Sequence, residues 1–195
     1  APGSYSVTLS KFAGGVATQL GEPRSFDVLP LRKGTLEGAT PGDVAAFWRE
    51  YEKAVRDHSA MQAALAQALV KLDRMHQVLL NSRADVGDLD QTLTAVRHEL
   101  LDLDQKLNGH RSKQEPGERF KPVINDRLFS VARGVDRSTY GPTKTHRRML
   151  EIASEEIDVI NSDLADSLAT LSELSQQLID AGAPWIEGEP LPSDR

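Results

Sequence analysis

VGDLDQTLTAVRHELLDLDQKL, residues 86–107, is the stretch on which the fold turns. Val86, Leu89, Leu93, Val96, Leu100, Leu103 and Leu107 recur every three or four positions, with no polar residue among them. Such a stripe lies on one side of an α-helix and has to be covered by another apolar stripe. Two more are present. Phe47, Tyr51, Ala54, His58, Met61, Leu65, Ala68, Leu72, Met75 and Leu79 form the first. Leu150, Ala153, Ile157, Ile160, Leu164, Ser167, Leu171, Leu174 and Leu178 form the other. Three long amphipathic segments in one chain read as a helical bundle, although a heptad-like period alone does not distinguish partners within a chain from partners in a coiled-coil dimer.

Helix boundaries follow from the flanking residues. Thr40-Pro41-Gly42-Asp43 supplies a capping hydroxyl, a proline in the first turn and an acid three residues on, and the period then continues to about Leu80. Asn81, Ser82 and Asp85 make a short connector, so the next helix should return antiparallel and stop at Asn108-Gly109. Pro116-Gly117 lies in a polar loop from Gly109 to Lys121. Ile124, Leu128, Val131 and Val135 then predict a short helix before Gly141-Pro142. The last helix should start near Pro142-Thr143 and end at Gly182, with Trp185 folding back over the bundle end. Both long helices come to roughly 60 Å. The expected architecture is mainly α: an elongated antiparallel, up-down-up three-helix bundle over 37–187 whose middle layer is broken into two helices.

The first 36 residues read differently. Ser4 to Leu9 alternates polar and apolar residues, Gly14-Gly15 marks a turn, and Ser25 to Leu31 is again extended. These predict a small β-hairpin with half-buried strands. Two strands are not a stable domain in water, so it is either a remnant of a larger β-domain or a ribbon docked on the bundle. The opening Ala1-Pro2-Gly3 reads as a cut through a longer protein, and residues 188–195 as a tail.

Composition narrows the chemistry. The chain has 195 residues, 5% aromatics and no cysteine, which rules out disulfides, thiol catalysis and cysteine-ligated metal. No apolar run approaches the roughly 20 residues of a bilayer span. The formal charge of −6 is uneven. Between His110 and Arg148 stand ten Lys or Arg against four acids, leaving 13 basic and 25 acidic residues of the chain's 23 and 29 elsewhere. Self-complementation between a basic connector and acidic helices is the default reading. Arg111, Lys113, Arg119, Lys121, Arg147 and Arg148 are the candidates for the sharper one, binding of a polyanion. Phe120, Phe129 and Tyr140 lie in the same segment and could stack bases, but packing suits Phe129 better, and the acidic balance argues against nucleic acid.

No catalytic, cofactor or metal residue set emerges. Asp73 and His76 stand one turn apart without the second such pair and further acids that a bundle metal site requires. Glu155 and Glu156 point about 100° apart on a helix, which suits a carboxylate pair poorly. His58 sits on an apolar stripe, where an imidazole bonded to a neighbour is the simpler reading than a ligand. No nucleophile elbow, P-loop or dinucleotide fingerprint is present.

Pro2 to Leu9 resembles the last hairpin of the Ig-like domain in large bacterial proteins built on sialidase-type (BNR-repeat) or sortilin-like β-propellers, commonly labelled glycosyl hydrolases. Asn125-Asp126-Arg127-Leu128, Pro142-Thr143 and Gly182-Ala183-Pro184-Trp185 are similar to stations of that family's C-terminal helical region. The resemblance implies a non-catalytic, C-terminal structural or interaction module, because the propeller that would hold any hydrolase site lies outside these residues. It also implies contact with β-domains of a parent chain or with another protomer. An accessory lid for the propeller's active site is the alternative. A secreted or periplasmic parent would fit; the residues themselves set no compartment.

Overall fold

A computed structural model of the chain describes residues 2–30, 37–82, 87–110 and 121–189. Helices make up 66% of it. They are α1 (Pro41–Asn81), α2 (Leu89–Asn108), α3 (Ile124–Asp136) and α4 (Lys144–Asp180), preceded by strands β1 (Gly3–Val7), β2 (Ser10–Ala13), β3 (Val16–Gln19) and β4 (Arg24–Val28). The predicted stripes become the core. Phe47, Met61, Leu65, Leu72 and Met75 of α1 meet Leu93, Leu100 and Leu107 of α2, Ile124 and Val131 of α3, and Leu171 and Leu178 of α4 in one buried cluster. α4 packs along α1, α2 and α3, so the seams are covered within a single chain. The middle layer is α2 followed by α3, and the outer helices α1 and α4 run parallel, as up-down-up order requires. Of the first stripe, Tyr51 and Leu79 are only partly buried. Val86 and Asp85 lie outside the described residues.

The helix ends match their sequence signals. Thr40 Oγ1 accepts from the Asp43 amide at 3.2 Å and donates to the Asp43 carboxylate at 2.7 Å, with Pro41 in the first turn. Thr143 and His146 cap α4 reciprocally: the His146 amide donates to Thr143 Oγ1, and the Thr143 amide donates to His146 Nδ1, each at 3.3 Å. α4 ends in a Schellman turn, in which Ala183 N–H reaches the Leu178 carbonyl and Gly182 N–H the Ile179 carbonyl. Gly182 supplies the left-handed φ of 76° that this turn needs.

One glycine is fixed by a close approach. A Cβ on Gly134 of α3 would stand 2.3 Å from His146 Nε2, so the Nε2 edge of the capping imidazole abuts bare backbone. Gly134→Val should therefore push His146 out of its capping geometry and cost about 1–3 kcal/mol, despite the usual gain from removing a helical glycine. Equilibrium urea unfolding checks this; a variant as stable as the parent would contradict the contact.

The N-terminal ribbon is the expected small hairpin. β2 and β3 pair around the Gly14-Gly15 turn, while β1 and β4 pair further out, both antiparallel, with Leu20 N–H bonded to the Leu9 carbonyl between them. Its strands, expected to be half-buried, are not, since every described residue from 2 to 30 is exposed. At the other end, Trp185 does not cap the bundle. It stays 48% exposed, its indole N–H donating to the Glu189 carbonyl, while Ile186 inserts at 1% exposure. The indole nitrogen needs a partner and Ile186 carries no polar atom, so the smaller side chain takes the dry position.

The residues after α4 clasp the bundle. Arg74 of α1 pairs with Glu187 at 3.1 Å, and Glu189 is held by Lys71 and by Ser175 Oγ at 2.7 Å. Those two hydrogen bonds, Lys71 first, hold the Glu189 carboxyl below the ordinary carboxylate range.

Candidate functional site

Within the basic segment, Lys121, Arg127, Arg147 and Arg148 each have an intramolecular neighbour. Lys121 lies 3.8 Å from Glu156, which also accepts from Arg127 at 3.3 Å. Arg148 pairs with Glu151 at 2.7 Å and Glu155 at 3.6 Å. Arg147 stands over the Phe47 ring, 5.5 Å from its centroid, a cation–π contact. Arg111, Lys113 and Arg119 lie outside the described residues, as does Phe120. The described candidates thus do not converge on one anion position; each has an intramolecular partner. Glu155 and Glu156 turn to different cations, as their helical offset requires.

The remaining polar candidates are similarly spent. Asp73 binds Arg97, and His76 faces Asp90 at 3.7 Å, so the pair one turn apart ties α1 to α2. Among the described residues, no three His, Cys, Asp or Glu side chains gather as a metal set. No helix among them is long and apolar enough to cross a membrane. A groove of about 500 Å³ between α1 and α4 is lined by Phe47, Lys53, Asp57, Arg147, Glu151 and Asp158, among others. Its charges alternate in sign, and Lys53 closes on Asp57 at 2.6 Å. That arrangement provides no nucleophile–base pair and no cluster of donors for a developing oxyanion.

What stands out instead is apolar surface on the ribbon. The register sets Tyr5 opposite Phe26, Val7 opposite Arg24 and Gly3 opposite Val28, all on one face. Tyr5 and Phe26 stack with ring centroids 5.9 Å apart. The reverse face carries Ser4, Ser6, Ser25 and Asp27, with Ser4 Oγ donating to Asp27 at 2.6 Å. This alternation is what a sheet needs when one side packs and the other meets water. Yet Phe12 is 76% exposed at the far end, and Tyr5, Val7 and Phe26 are open as well. Among the described residues each strand of the ribbon pairs on one side only, and the other edge is a template for a further strand.

A second apolar spot lies on the bundle. Phe129 is 61% exposed, against the packing expected for it, and with Trp48, Ala132 and the stems of Arg133 and Arg137 it borders a shallow notch. Phe129 falls one position from buried Leu128 on α3, which turns it roughly 100° away from the seam.

No family model, curated protein or solved structure matches the chain.

Proposed function

We propose that the chain is a non-catalytic structural or protein-interaction module, in which the bundle is a self-sufficient rod and the ribbon is the gripping element. The observation that carries this reading is the uncovered Tyr5–Phe26 face on a ribbon that, among the described residues, also has two open edges. Such a face is stabilised by burial against another sheet, at about 25 cal/mol per Å² of apolar area. A β-domain of a longer parent chain is the occupant that best suits it, because added strands would satisfy both the face and the edges. The resemblance to the helical C-terminal region of sialidase-type and sortilin-like propeller proteins supports the same placement. The paired state of the charged candidates supports a module without chemistry of its own.

Turnover and assembly separate this reading from an accessory lid over a propeller active site. A propeller-containing parent and the same parent without these residues should hydrolyse glycosides and peptides at equal rates. The truncated parent should melt at a lower temperature or fail to assemble. Loss of turnover with unchanged stability would replace the present reading with the lid.

A further inference from the structure

The middle layer of the bundle breaks where a buried imidazole meets it. His58 lies on the core stripe of α1, 5% exposed, between Ala54 and Met61. Its ring approaches the backbone of Leu107, in the last turn of α2, two residues before the chain leaves the helix at Gly109. Nε2 is buried and has no hydrogen-bond partner. A neutral imidazole carries one N–H and one bare lone pair, and a proton added to the ring gives Nε2 a donor that meets no acceptor there.

Charged groups on each helix have partners of their own, and Asp158 of α4 acts on Lys53 of α1. On α1, Asp57 holds Lys53; on α2, Asp104 accepts from Asn108, whose own amide oxygen accepts from Gln62 of α1. On α3 and α4, Arg127 and Glu156 bind each other, and Lys121 joins them. Among the described residues, none of these side chains bonds to His58, so a second proton on the ring would find no acceptor.

We propose that His58 is an acid-sensitive latch: a proton arriving on Nε2 drives the ring from the seam and releases the last turn of α2 from α1, while α1 and α4 stay paired. The sign follows from the two end states. Burial lowers the affinity of the folded ring for a proton. The opened ring titrates near 6.5, so it takes up a proton that the closed form refuses, and closure weakens as pH falls below about 6.5. Above that value both forms are neutral and the latch is shut.

Amide exchange of the full chain at pH 7.5 and 5.5, expressed as protection relative to the intrinsic rate, tests this. Protection at Leu107 to Gly109 should fall at the lower pH, by at most about tenfold one unit below the ordinary imidazole value, while that at Leu65 to Leu72 holds. His58→Gln, which keeps a donor, and His58→Leu, which fills the site with hydrocarbon, should both remove the pH effect. An equal fall at both places would mean global unfolding and would overturn the latch, as would a fall that survives in either variant. If neither variant folds, the unmodified chain decides by ring-proton resonance. A His58 signal moving in step with lost protection supports the latch, and one titrating like free imidazole while protection holds overturns it.

Discussion

Leu164→Asp should abolish the folded bundle. Leu164 sits at the middle of α4, 3% exposed, inside the seam shared with α1 and α2. A carboxylate there loses water and gains no partner, and removal of the leucine leaves its apolar neighbours without contacts. The combined penalty is about 4 kcal/mol or more, comparable to the whole stability of many domains. Leu93→Asp on α2 should behave alike, since its surroundings are equally dry. Far-UV circular dichroism and thermal melting read the result: helical signal and melting temperature equal to the parent's would remove these residues from the core. The charged face of α1 is the internal control, because Glu52→Gln should change neither quantity measurably.

Phe47→Ala is the second large effect. Phe47 is buried in the first turns of α1, edge-on to Trp48 at 6.3 Å, with Arg147 of α4 over its face. Truncation removes the ring's transfer energy, leaves a cavity and strands the guanidinium, for about 3–5 kcal/mol in total. At this chain length that corresponds to a melting temperature lower by roughly 10 °C. Arg147→Met keeps the stem and loses only the cation, so its cost should stay below about 1 kcal/mol. Equal losses for the two variants would mean that Phe47 does not organise this end.

The legible and illegible parts of this protein divide on a physical line. Leu100, Val131 and Leu178 are buried because a period of 3.6 leaves them no other direction, and periodicity is local information. Thr40 and Thr143 announce their helices for the same reason, since each cap is completed within three residues. The Lys71–Glu189 and Arg74–Glu187 clasp is different: its partners are more than 110 positions apart, and nothing near either one signals the other. The exchange of Trp185 for Ile186 depended on where one indole nitrogen could find an acceptor. β2 and β3 were missed because four-residue strands such as Ser10–Ala13 hold too few alternations to register. Of the candidate site, Val7 and Phe26 were visible as strand residues, but their exposure was not, because alternation tells which side is apolar and not whether anything covers it.

The outer helices hold the entry to α1 and the C-terminal clasp far apart. The segment entering α1 is tied to the α3–α4 turn, Ala39 N–H to the Tyr140 carbonyl at 2.9 Å, whereas Glu189 is fastened near the distal end of α1. With 41 residues in α1, those fastenings are separated by a strut of several nanometres. Shortening α1 and α4 together by two heptads, with α2 or α3 trimmed to match, would draw the two fastenings about 20 Å closer.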